Sequence, residues 1–164
     1  MAPSTSPPST AATNESLKPI VEQLVDSYDA VVGEILADPR IASDPGNELV
    51  RRYLALFPED STFASGALGF WTSEAAADRF YRPGPRGAMY DSTVQSVELR
   101  SETEAVAKVC TLTSIQIVDS TGAALESQGG VNGGEVVVVR VGGDWLLRDL
   151  TEAPPDECPR PGDS

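Results

Sequence analysis

The residues that could do chemistry in this chain are constrained first by one that is missing, because its 164 residues include no histidine. Imidazole general-base catalysis, a Ser-His-Asp triad and histidine-ligated zinc are therefore excluded. The two cysteines, Cys110 in KVCTLTS and Cys158 in a Pro-rich exit, lie on separate segments and do not complete a four-ligand metal site. Joined as a disulfide they would close a loop of about 49 residues, for which chain entropy gives roughly 4 kcal/mol of stabilisation. Such a bridge would tie down EAPPDECP, a stretch with little to bury. The other reading is one buried, inert cysteine and one exposed, reactive thiol. The acidic spacing from Asp38 to Pro45 lacks the ligand rhythm of a calcium loop, and its prolines indicate turns. No metal and no cofactor is expected.

Three arginines stand close together in DRFYRPGPRG: Arg79, Arg82 and Arg86. They could meet an anionic ligand or partner. They could equally follow a helix C-terminus, where the helix dipole favours cations, and offset Asp78.

These residues sit in an acidic chain, with 12 Lys and Arg against 25 Asp and Glu, a formal charge of −13 and 40% hydrophobic content. That sign argues against nucleic acid, which needs a basic footprint, and against an anionic membrane surface. The length suits one domain with a real core. No apolar run approaches the roughly 18 residues of a membrane-spanning helix. Residues 1–16, MAPSTSPPSTAATNES, read as a disordered Ser/Thr/Pro-rich tether without bulky apolar residues, and 159–164 as a flexible tail around a single domain of 17–158. The stretch has neither the basic nor the apolar region of a signal peptide. The expectation is a cytoplasmic protein or one whose export signal has been removed.

Apolar residues from Leu17 to about Ala37 recur at three- and four-residue intervals (Ile20, Val21, Leu24, Val25, Tyr28, Val31, Val32, Ile35, Leu36), which predicts an amphipathic helix capped by Ser16. A second, short helix is predicted from Asp44-Pro45 to Phe57. A third is predicted from Thr72 or Ser73 to Tyr81, with 59–71 open between helix and loop. After Gly87 the period changes to 2, predicting strands over Tyr90–Arg100, Glu104–Val118, Glu135–Val141 and Trp145–Thr151. Gly142-Gly143-Asp144 reads as a hairpin connection. Helices followed by hairpin-linked strands mean an α+β domain, helices on one face of an antiparallel sheet.

Three helices, then a strongly bent sheet ending in GGDWLLRDLT, resemble the NTF2-like (SnoaL-like, cystatin-like cone) superfamily. More narrowly, the Ser/Thr/Pro tether, LVDSYDAVVGEILADP, YDSTVQSVEL, the KVC strand, GGEVVVVRVGGDW and LLRDLTEAPPDEC, in that order, resemble secreted lipoprotein-type proteins of actinobacteria. The resemblance covers about Leu17 to Cys158. It implies a cone with a cavity between the concave sheet and the helices. The lipidated cysteine of a lipobox is absent from the chain as written.

Enzymes of this superfamily use carboxylates and tyrosines in the cone, where apolar walls raise a carboxyl pKa. The matching positions are Tyr90 with Asp91, Glu135, and Arg148 with Asp149. Strand alternation puts Trp145, Leu147 and Asp149 on one face and Leu146, Arg148 and Leu150 on the other. Trp71, Phe80, Tyr81, Tyr90 and Trp145 are candidate pocket walls, with Phe70 nearby, if they are not simply core aromatics. The resulting expectation is a non-catalytic, exported cell-envelope protein, stapled by Cys110 and Cys158, that binds a small apolar ligand or another envelope protein. The alternatives are a cone enzyme of isomerase, cyclase or hydratase type using Asp91, Tyr90 or Asp149, and an interaction module that dimerises through its sheet face.

Overall fold

The computed structural model describes residues 12–153 and Cys158. The tether up to residue 11 and the tail 159–164 lie outside the described residues. The chain begins with α1 (Asn14–Ala37), a 3-10 turn (Pro39–Ser43), α2 (Glu48–Leu54) and α3 (Thr62–Ala76). Five strands follow: β1 (Phe80–Pro83), β2 (Tyr90–Ser101), β3 (Glu104–Val118), β4 (Ala124–Val141) and β5 (Asp144–Ala153). This is an α+β cone, with the helices packed on one face of an open antiparallel sheet. Among the described residues, no helix is long and apolar enough to cross a membrane.

α1 starts three residues earlier than the apolar stripe suggests. Thr13 is the cap, its hydroxyl accepting from the Ser16 amide at 3.0 Å. Ser16 answers from the first turn, its hydroxyl accepting from the Thr13 amide at 2.8 Å. The two make a reciprocal capping box that satisfies two otherwise orphaned donors. α2 is likewise capped by Asn47 rather than by Asp44, because Asn47 reaches the Leu49 amide at 2.8 Å.

The third helix is the main correction. α3 fills the stretch left open in the sequence and ends at Ala76, whereas Phe80–Pro83 is strand β1, paired with Ile115–Val118 of β3. Ser61 caps α3 by accepting from the Ala64 amide at 3.1 Å, and Asp78, in the left-handed region at φ 59°, turns the chain into β1. Small residues in α3 hide its period, which is why the pattern was unreadable.

β3 is the spine of the sheet. β4 runs antiparallel along one edge of it, while β2 and β1 share the other, and β5 closes the far side of β4. Gly142 and Gly143, with φ 59° and 92°, supply the two left-handed positions of the tight β4–β5 turn. Register shifts interrupt β2, β3 and β4 against their partners, and such bulges bend and twist a sheet. α1 lies across β2 and buries Leu17, Val21, Val25, Val32 and Ile35 against Ala105, Ala107, Val109 and Val138. Side chains of α1 also close the outer edge of β2. Asn14 accepts from the Leu99 amide at 2.9 Å and Asp29 from the Ser92 amide at 3.0 Å.

Cys110 and Cys158 are joined by a disulfide with Cα atoms 5.6 Å apart. Cys110 pairs with Thr93 and Gly133 in the sheet, one position out of phase with the core residue Val109, so the bridge lies on the sheet face away from the helices.

Candidate functional site

A cavity of about 260 Å³ opens between α1, the concave face of the sheet and the start of the final segment of β5. Its apolar wall is made by Val25 and Val32 of α1, Trp71 of α3, and Val109, Val136, Leu147 and Leu150 of the sheet. Trp71 is held there by the aromatic cluster behind it. Its ring centroid is 5.0 Å from that of the fully buried Tyr53, which packs at 5.1 Å on Phe57. Space exists partly because Gly134 puts no side chain on the inner face of this stretch of β4. A Cβ at Gly134 would come within 3.2 Å of the Thr151 carbonyl.

One side of the cavity is polar, formed by Tyr28, Asp29, Tyr90, Ser92 and Thr111. Asp29 lies four residues after Val25 and three before Val32, so the helix period carries it into the apolar stripe. Burial pushes its carboxyl from an ordinary 3.8 up to about 6. Hydrogen bonds from Ser92 pull the other way, and the charges of Asp26 and Asp91 add to the rise. The Ser92 hydroxyl is also 2.8 Å from that of Thr111. Burial, reinforced by the Asp29 charge, pushes the Tyr90 phenol up to about 12, and raises that of Tyr28 further. A half-buried carboxyl whose pKa is raised to about 6, among neutral phenols, can accept a hydrogen bond, hold a cation or exchange a proton. Among the described residues, no group of three or more His, Cys, Asp or Glu side chains could hold a metal ion.

The structure brings together only some of the residues singled out from sequence. Trp71 and Tyr90 line the cavity. Asp91 does not; it is exposed in an adjoining groove of about 490 Å³, which shares Asp29 and Tyr90 with the cavity. Asp149 is exposed and also outside the cavity, because the β4–β5 register passes from Val137↔Asp149 to Val138↔Leu147 and leaves Arg148 as an extra residue. That bulge breaks the simple alternation, so Leu147 and Leu150 face the same cavity. Glu135 borders the cavity, but alternation with the buried Val136 turns its side chain to the outer face, at the position paired with Lys108.

The remaining aromatic candidates lie elsewhere. Phe80 packs under the Arg40 guanidinium, 5.5 Å from its ring centroid; Tyr81 is buried and donates to Glu74 at 2.8 Å; Trp145 packs on the core away from the cavity; Phe70 is 56% exposed. Of the three arginines, Arg79 is engaged within the fold. Arg79 is bound to Glu74 at 2.6 Å and to Glu126 at 2.9 Å, and both carboxylates hold its guanidinium strongly protonated. Arg82 and Arg86 are exposed on β1 and the loop after it. Asp29 was the residue missed, although a lone carboxylate inside an otherwise apolar helix stripe was there to be read.

No protein-family model matches the chain, and no curated protein matches it by sequence. Solved structures do. The intermembrane space region of the chloroplast protein ARC6 is 12% identical with a TM-score of 0.62, over 82% of this chain and 95% of that one. An NTF2-like superfamily protein from Salmonella enterica is 12% identical with a TM-score of 0.51, over 90% and 96%. At such identities the likeness concerns the fold alone, and the fold of this chain is that of the NTF2-like, cystatin-like cone.

Proposed function

We propose that this is a non-catalytic binding domain whose cone takes a small, largely apolar molecule carrying one polar group, and that it works in an oxidising compartment at or outside the cell envelope. The observation that carries the binding reading is the cavity itself. Seven apolar side chains wall it, Gly134 keeps it open, and Tyr28, Asp29, Tyr90, Ser92 and Thr111 give it a polar side. That is the arrangement of small-molecule sites, and about 260 Å³ falls just below their usual range of roughly 300–1,000 Å³, so the ligand is small. The Cys110–Cys158 disulfide supports the compartment, since such bridges persist where thiols are oxidised. The resemblance to exported lipoprotein-type proteins supports the envelope.

A neutral probe, cyclohexylmethanol, tests the cavity. It should shift the Trp71 indole and Gly134 amide NMR signals, and Val136→Phe, which fills the space, should abolish both shifts. Shifts that persist in Val136→Phe, or that fall on other residues, would overturn the reading. Intact mass under denaturing alkylation tests the compartment: protein from its native host should carry two blocked cysteines.

A second reading has one observation in its favour, the Asp29 carboxyl at about 6. In a cone enzyme of isomerase or hydratase type, Asp29 would move the proton and Tyr90 would bind the developing charge. Asp29→Asn would then abolish turnover of a found substrate, while Asp91→Asn and Asp149→Asn would leave it.

A further inference from the structure

The charges around the cavity all have one sign. Asp29 and Glu152 line it, and Asp26, Glu34 and Asp91 line the groove that shares Asp29 and Tyr90 with it. Glu152 stands opposite Gly134 in the register and two positions from Leu150, on the cone side. No lysine or arginine lines either space among the described residues. Burying a carboxylate costs several kcal/mol unless a cation or enough donors compensate it. Among the described residues, Asp29 receives its hydrogen bonds from Ser92. Three aromatic side chains, Tyr28, Trp71 and Tyr90, line the same cavity, and aromatic rings attract a cation when water is excluded.

We infer that the ligand of the cone carries a positively charged nitrogen, an ammonium group on a small apolar body, with Asp29 as its counter-ion. The apolar body occupies the wall of Val25, Val136, Leu147 and Leu150, and the ammonium group lies on the polar side. The acidic groove draws cations toward the site and repels carboxylates, because clefts lined by one sign of charge focus the field. This inference rests on the cavity being a ligand site, as proposed above.

Three probes of nearly one shape separate the possibilities: cyclohexylmethylamine, cyclohexylmethanol and cyclohexanecarboxylate, titrated calorimetrically into the disulfide-bonded protein near pH 7. The amine should bind about tenfold tighter than the alcohol, the increment of one charge-assisted hydrogen bond, and the carboxylate should not bind. In Asp29→Asn, which keeps an acceptor for the Ser92 amide, the amine should lose that advantage. Glu152→Gln, at an exposed position where folding is not at stake, should reduce the amine-to-alcohol ratio about twofold, as expected for a screened surface charge. An alcohol or carboxylate that binds as tightly as the amine would overturn the charge assignment and leave the cavity reading standing. If none of the three binds, the cavity reading fails and this inference with it.

Discussion

Two carboxylates in this molecule are held beside tyrosines, and they are treated in opposite ways. Glu74, at the end of α3, accepts from the Arg79 guanidinium at 2.6 Å and from the Tyr81 hydroxyl at 2.8 Å, and Arg79 continues to Glu126 on β4. Asp29, in the middle of α1, accepts from Ser92, stands near Asp26 and Asp91, and has Tyr28 and Tyr90 beside it without a cation. The first arrangement fastens α3 to β1 and to the start of β4. The second holds an uncompensated carboxyl at the wall of a cavity. One carboxylate is thus held by a guanidinium and a phenol, while the other lines a cavity and a groove in which no lysine or arginine takes part among the described residues.

The largest effect should come from the scaffold side. Glu74→Ala leaves Arg79 with only the exposed Glu126 and strips Tyr81 of its acceptor, and should cost about 3 kcal/mol of unfolding free energy in urea titrations. A loss below about 1 kcal/mol would mean that the network is decoration and the contrast false. Asp29→Asn should act in the other direction. Burial raises its carboxyl pKa from 3.8 to about 6, so removing the charge should raise stability near pH 7 by about 2–3 kcal/mol. Stability bought by losing a site residue is a signature of function, and an Asp29→Asn variant that is markedly less stable would make Asp29 structural.

The pH dependence sharpens the same point. Below about pH 4 the Asp29 carboxyl is protonated in the folded and the unfolded chain alike. Between about 4 and 6 the folded chain still holds the proton that the unfolded chain has released, so this contribution to stability falls as pH rises through that window and stays low above it. The difference between wild type and Asp29→Asn should therefore grow from near zero at pH 4 to its full value above pH 6. The smallest effect belongs to the rim of the network. Glu126→Gln removes an exposed partner of Arg79 and should lower the urea midpoint only slightly.

The first helix, the long strands β2 and β3 and the glycine hairpin were legible because their signals are local. A period of 3.6 or 2 and a pair of glycines act through neighbours a few residues away. Most of α3 was not legible, since its small residues blur the stripe, and Phe80 and Tyr81 read as the end of a helix because two aromatics next to arginines have no period of their own. The cysteine pair was legible as a possibility, and the approach of Cys158 to Cys110 turned it into a bond. The resemblance also led to the right cone, whereas its candidate carboxylates Asp91 and Asp149 lie on strands outside the cavity and Asp29, which lines it, sits in α1.

By itself, then, the sequence determined an acidic α+β domain without histidine chemistry, with its helices first, its sheet last and two cysteines positioned for a staple. Tertiary structure alone decided that Asp29 lines the cavity. Asp29 meets Ser92 across 63 residues of chain, and only the packing of α1 along the edge of β2 places it in the cavity and raises its pKa. A single extra residue at Arg148 likewise decides that Leu147 and Leu150 face inward and Asp149 does not. Burial and register are properties of contacts between distant segments, and no local pattern encodes them.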